Sequence, residues 1–162
     1  MQAGAGTFLL QEACGLDRSG HRVCNRWANK HSNGEDPLGE TIRIAMDDGH
    51  QLPCYHVMPE GERRGGLVLV HEIFGVTDHI RELCDEYAAD GYEVIAPNLF
   101  DRVEPGCELG YAGPDWERAV KIGRELHDWE RGLADTGECV AWLKARGGPV
   151  FITGYCFGGS VA

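Results

Sequence analysis

Val150-Phe-Ile-Thr-Gly154-Tyr-Cys156-Phe-Gly158-Gly159 decides the fold. A short apolar strand runs straight into a G-x-C-x-G pattern, which marks the sharp strand-to-helix turn known as a nucleophile elbow. Small residues two before and two after the nucleophile are needed there, because larger side chains collide as the backbone folds. The turn lifts Cys156 above the sheet edge and sets its sulfur at a helix N-terminus, where unpaired N–H groups favour negative charge. The backbone N–H of Phe157 then becomes a candidate oxyanion donor. In a glycine-rich chain the bare pattern also arises by chance, and a buried structural cysteine among packing glycines is the alternative. The preceding strand is what supports the elbow.

Working outward, Leu67-Val-Leu-Val70 is continuously apolar, the habit of a parallel strand buried on both faces. Val150 to Thr153 reads the same way. Ile80, Leu83, Cys84, Tyr87 and Ala88 form one helical stripe, capped by Thr77 or Asp78 and ended by Gly91. Tyr92 to Ala96 is a strand stopped by Pro97, and residues 98–114 form a loop. Leu126, Trp129, Leu133, Val140 and Leu143 mark a helix face between about 116 and 145, with a break expected near Gly132 or Gly137. Farther upstream, Thr41 to Met46 alternates, Asp47-Asp48-Gly49 turns, and Leu52 to Val57 returns. Pro53 places that arm at an edge or a bulge. The order is a β-hairpin followed by β-α-β-α-β, which gives an α/β fold with a mostly parallel sheet and flanking helices.

His71-Glu-Ile-Phe-Gly75 ends the first parallel strand at the sheet edge where ligands bind in such folds. Glu72 there is a candidate to reach the Cys156 thiol, against the alternative of a solvated charge. The N–H of Ile73 is a candidate second oxyanion donor. Neighbouring strand side chains point to opposite faces, so His71 and Glu72 should not both face the cysteine.

Composition narrows the function. The 162 residues carry 15 basic and 26 acidic side chains, a net charge of −11, which disfavours nucleic-acid and membrane-surface partners. No apolar run approaches the ~20 residues of a membrane span. Seven cysteines without a C-x-x-C pair point to a reducing cytosol. Residues 1–40 lack a sustained period and read as an irregular extension. Cys14, His21, Cys24 and His31 within it lack the paired spacing of a zinc site, so no metal is expected. The 23 glycines are about twice the usual share.

Three motifs in order, Leu67 to Gly75, Ala96-Pro-Asn-Leu-Phe-Asp-Arg102 and Gly154 to Gly159, resemble the dienelactone hydrolase family of α/β-hydrolases. The likeness runs from about Thr41 to Ala162. It implies that Cys156 attacks the carbonyl of a small lactone or ester, with no cofactor. It further implies that Glu72 holds and activates the thiol, and that Ile73 and Phe157 supply the oxyanion amides. Asn98 stands where the family usually has Asp, and Arg118 lies in about the region where an arginine binds the substrate carboxylate.

In this fold an acid and a histidine follow the nucleophile, yet only six residues follow Cys156 and none is Asp, Glu or His. Roughly 120 residues remain for a domain that usually takes 200 or more, so an incomplete hydrolase, inactive alone, is expected. Two other readings remain: a non-catalytic fragment or partner-binding piece with an exposed sheet edge, and a redox thiol protein, which lacks a resolving cysteine at C-x-x-C spacing. Oligomeric state is not legible.

Overall fold

The computed structural model describes Cys14–Leu16, Arg22–Cys24 and residues 38–162, within two units, Met1–Asp36 and Pro37–Ala162. In the first unit, Cys14–Leu16 (β1) and Arg22–Cys24 (β2) pair antiparallel, with Cys14 opposite Cys24. This corrects the reading of a wholly irregular extension; three-residue strands are too short to leave a period in the sequence. His21 and His31 lie outside the described residues.

The second unit is built on five strands: Glu40–Ala45 (β3), Gln51–Val57 (β4), Gly65–Val70 (β5), Tyr92–Pro97 (β6) and Val150–Gly154 (β7). Asp78–Ala89 (α1) joins β5 to β6. Pro114–Lys121 (α2), a π-helical turn at Ile122–Leu126 and Trp129–Lys144 (α3) join β6 to β7, and Phe157–Val161 (α4) ends the chain. The strand order is β3-β4-β6-β5-β7; β6, β5 and β7 run parallel, and the hairpin β3-β4 lies antiparallel against β6.

Strand β5 is apolar throughout because both its faces are covered. Leu67 and Leu69 join Ile80, Leu83, Cys84 and Ala88 of α1 on one side. Val68 and Val70 join Cys139 and Leu143 of α3 and Phe100 on the other. Each of the Val, Leu, Ile and Phe side chains contributes about 1.5–3 kcal/mol on burial. No described helix is long and apolar enough to cross a membrane.

Three local expectations are corrected. Pro53 sits on an interior strand, not an edge. Its carbonyl accepts from Asn98 N–H just beyond the end of β6, so its missing donor falls where the ladder has already stopped. The helical segment breaks at His127 and Asp128, not at Gly132 or Gly137. The π turn, closed by His127 N–H on the Ile122 carbonyl at 2.8 Å, adds a residue, and Asp128 caps α3 by accepting from Arg131 N–H at 3.0 Å. The register rotates accordingly. Leu126, Trp129 and Leu133 turn outward, while Gly132, Asp135, Thr136, Cys139 and Leu143 face the core. Strand β7 is also not fully buried: it pairs only with β5 among the described residues, and Phe151 remains 50% exposed.

Candidate active site

The elbow is a feature of backbone crowding. A Cβ at Gly154 would run into the Gly158 carbonyl, and one at Gly158 would run into the Val70 carbonyl and lie 2.7 Å from the His71 oxygen. Both positions therefore exclude any side chain while β7, α4 and the end of β5 keep this approach. Tyr155 N–H donates to the Val70 carbonyl at 3.2 Å, which ties the turn to β5. Between the glycines, Cys156 adopts φ 54° and ψ −110°, the one non-glycine residue with positive φ among those described. Such a conformation costs on the order of 1–3 kcal/mol and is typically held at functional sites. Cys156 is exposed, whereas Cys54, Cys84, Cys107 and Cys139 are buried free thiols. Burial pushes the Cys107 thiol up to about 11, and Cys84 higher still.

At the neighbouring strand end, Glu72 accepts a hydrogen bond from Tyr111 Oη at 3.2 Å, and Tyr111 Oη also lies 3.1 Å from Thr77 Oγ1. Burial first, and then the Glu72 charge, raises the Tyr111 phenol, which keeps it a donor. No hydrogen bond joins Glu72 to Cys156 among the described residues; the carboxylate is held by the tyrosine instead. Tyr111 was not singled out from the sequence, because it sits in a glycine-rich loop without periodicity. The rings of Phe74, Tyr111 and Trp116 cluster on this side, with Phe74 4.4 Å from Tyr111 and 5.6 Å from Trp116 between centroids.

The backbone N–H groups of Ile73 and Phe157 find no acceptor among the described residues. They are thus free to donate to a ligand. Arg118 differs: its guanidinium is engaged by Glu104, Nε to Oε2 at 2.7 Å, with its side chain 57% exposed. Asn98 acquires a reason. Its Nδ2 donates to the Cys107 carbonyl at 3.0 Å, a bond that an ionised aspartate could not make. That bond holds the loop after β6. Leu109 N–H donating to the Phe74 carbonyl, and Gly75 bridging Glu108, stitch it to the loop after β5.

His71 is fully buried and hydrogen-bonds to backbone groups rather than to Cys156. Its Nε2 lies 3.1 Å from Leu99 N and its Nδ1 2.5 Å from the Glu72 carbonyl oxygen. Burial lowers it to about 4 from an ordinary 6.5. Between those values the unfolded chain takes up a proton that the folded chain refuses. The stability from neutral His71 is therefore complete above about pH 6.5 and falls as pH drops toward 4, by up to roughly 3 kcal/mol. Denaturant midpoints across pH 7 to 4 should show this slope, and His71→Asn should flatten it relative to the wild type. Burial also lowers His127, which sits against Phe100, Trp129 and Phe157. None of these histidines is hydrogen-bonded to Cys156.

Comparison with known proteins places the chain in a family. The model of the dienelactone hydrolase family matches residues 52–162. Carboxymethylenebutenolidase 1 of Cupriavidus pinatubonensis is 30% identical over 129 residues, which cover 77% of this chain and 55% of the relative. A protein of Escherichia coli K12 with the candidate designation carboxymethylenebutenolidase is 32% identical over 143 residues, covering 77% and 51%. A solved structure from Klebsiella pneumoniae, described as a candidate dienelactone hydrolase, superposes with a TM-score of 0.61 at 30% identity, covering 75% of this chain and 50% of that one. The chain spans about half the length of the curated relatives it matches. The five-strand mixed sheet with flanking helices is that of α/β hydrolases.

Proposed function

Because the chain belongs to the dienelactone hydrolase family, whose members are hydrolases, we propose that Cys156 attacks the carbonyl carbon of small, anionic lactones or esters. The observation that carries this reading is the strained, exposed cysteine between two glycines that admit no side chain. The thiol proton passes to Glu72, which must first exchange its bond from Tyr111 for one from sulfur. As the C–S bond forms, the carbonyl oxygen becomes an oxyanion facing the free N–H groups of Ile73 and Phe157. Collapse breaks the carbon–oxygen bond of the ester, the leaving oxygen takes the proton from Glu72, and a thioester remains on Cys156. Water then releases the acid. An imidazole beside Cys156 would speed this second step, and none is hydrogen-bonded to it among the described residues.

Arg118, held by Glu104 in an exposed ion pair, is the proposed contact for a substrate carboxylate once that pair exchanges. The proposed setting is the reducing cytosol, on cysteine usage. Treatment with p-nitrophenyl acetate and with a small enol-lactone, followed by intact mass and peptide mapping, tests the reading. One acyl group on Cys156 is expected; adducts on other residues only, or none, would overturn it. One observation favours a second reading. The half-exposed Phe151 on a strand that, among the described residues, is paired on one side fits a partner-binding piece. That reading predicts self-association in sedimentation without any acylation.

A further inference from the structure

We infer that His71 is a positioning residue whose neutral imidazole clamps the Glu72–Ile73 peptide to the Leu99 backbone and so aims the Ile73 N–H at the oxyanion. The inference rests on the proposed role of Ile73 in the hydrolase reading. A fully buried imidazole among apolar groups is costly unless both nitrogens are satisfied. Here both are, and only one tautomer does it. The Leu99 N–H can only donate, so Nε2 must offer its lone pair. The proton is therefore on Nδ1, which donates to the Glu72 carbonyl.

That carbonyl and the Ile73 N–H belong to one peptide group, and the described backbone has no cis bonds. In a trans peptide the two point in opposite directions. Holding the oxygen therefore fixes the direction of the amide proton. A weaker turn bond from Gly75 N–H at 3.4 Å reaches the same oxygen, so the histidine makes the shorter of its two contacts. The clamp also spans strand ends: His71 directly follows β5 and Leu99 lies just beyond β6, so the proposed oxyanion loop is indexed to the neighbouring strand end. The His71 ring stacks on Phe157 at 5.9 Å between centroids. One side chain thus touches the Glu72–Ile73 peptide and the ring of Phe157, next to both proposed oxyanion amides.

The test separates orientation from folding by using two reactions of the same sulfur. Acylation by p-nitrophenyl acetate passes through an oxyanion, whereas alkylation by iodoacetamide does not. His71→Leu fills the space without hydrogen bonds, and His71→Asn restores a donor near the Nδ1 position. His71→Leu should slow acylation of Cys156 roughly 10–100-fold while alkylation changes less than about twofold, and His71→Asn should recover most of the loss. In the unsubstituted chain at pH 7, long-range nitrogen–proton correlations should place the ring proton on Nδ1, a readout that needs no variant. A proton on Nε2, unchanged acylation in His71→Leu, or equal losses of acylation and alkylation in both variants would overturn the clamp. An unsubstituted chain that is alkylated at Cys156 but never acylated removes the parent reading instead, and the clamp with it.

Discussion

Replacing Cys156 with alanine should abolish acyl transfer to the protein, with a loss of at least about 1,000-fold in p-nitrophenol release. No other described thiol can substitute. Cys54, Cys84, Cys107 and Cys139 are buried, and burial raises the last proton of Cys84 and Cys107 well above neutrality. A residual release near that of the unsubstituted chain would refute the assignment. A second substitution distinguishes chemistry from strain. Cys156→Ala keeps a side chain at φ 54°, while Cys156→Gly removes it from a conformation that only glycine adopts freely. Both variants should be inert. Only the glycine variant should gain stability, by about 1 kcal/mol in denaturant unfolding. Equal stabilities would mean that the turn stores no strain.

Gly158→Ala should destabilise the protein by about 3 kcal/mol or more. The new Cβ would meet the carbonyls of Val70 and His71, which are backbone and cannot swing aside as a side chain would. Gly154→Ala should behave alike, because its Cβ would meet the Gly158 carbonyl. Either variant that remains folded should lose acylation, since relief requires the elbow to open. The matched control is Gly137→Ala, on α3, where nothing lies within 4 Å of the added atom. There the change should stabilise by about 0.5–1 kcal/mol, the ordinary helical preference for alanine. Circular dichroism melts of the three variants give the comparison directly. A neutral Gly158→Ala would show that α4 does not need its close approach to β5.

The elbow and the parallel strands were legible because each rests on a local rule. Glycine at 154 and 158 is enforced by contact, and the unbroken apolar run of β5 reflects cover on both faces. The helical stripe of α1 likewise appears where the spacing puts it, with Gly91 closing it at φ 95°. What escaped depended on geometry that no spacing records. The apparent stripe through Leu126, Trp129 and Leu133 crosses a π turn, whose additional residue rotates everything after it. Asp128, a cap residue three before Arg131, was the overlooked sign of that break. Pro53 looked like an edge marker because the sequence cannot say that β6 stops opposite Cys54. At the candidate site, motif singles out Cys156 and Glu72, but the Tyr111 bond to Glu72 joins positions 39 apart. The role of His71 needed the Leu99 amide, 28 residues away, before its tautomer could be read.

Strand β7 leads into the proposed nucleophile and, among the described residues, pairs only with β5, whereas β5 and β6 each have neighbours on both sides. In a sheet so arranged, local opening is not shared evenly. The amides of Val150–Gly154 should therefore exchange with solvent ahead of those in β5 and β6, which are paired on both sides. The elbow is thus tied to a strand with fewer partners than β5 or β6, and the Cys156 thiol should share in that strand's opening.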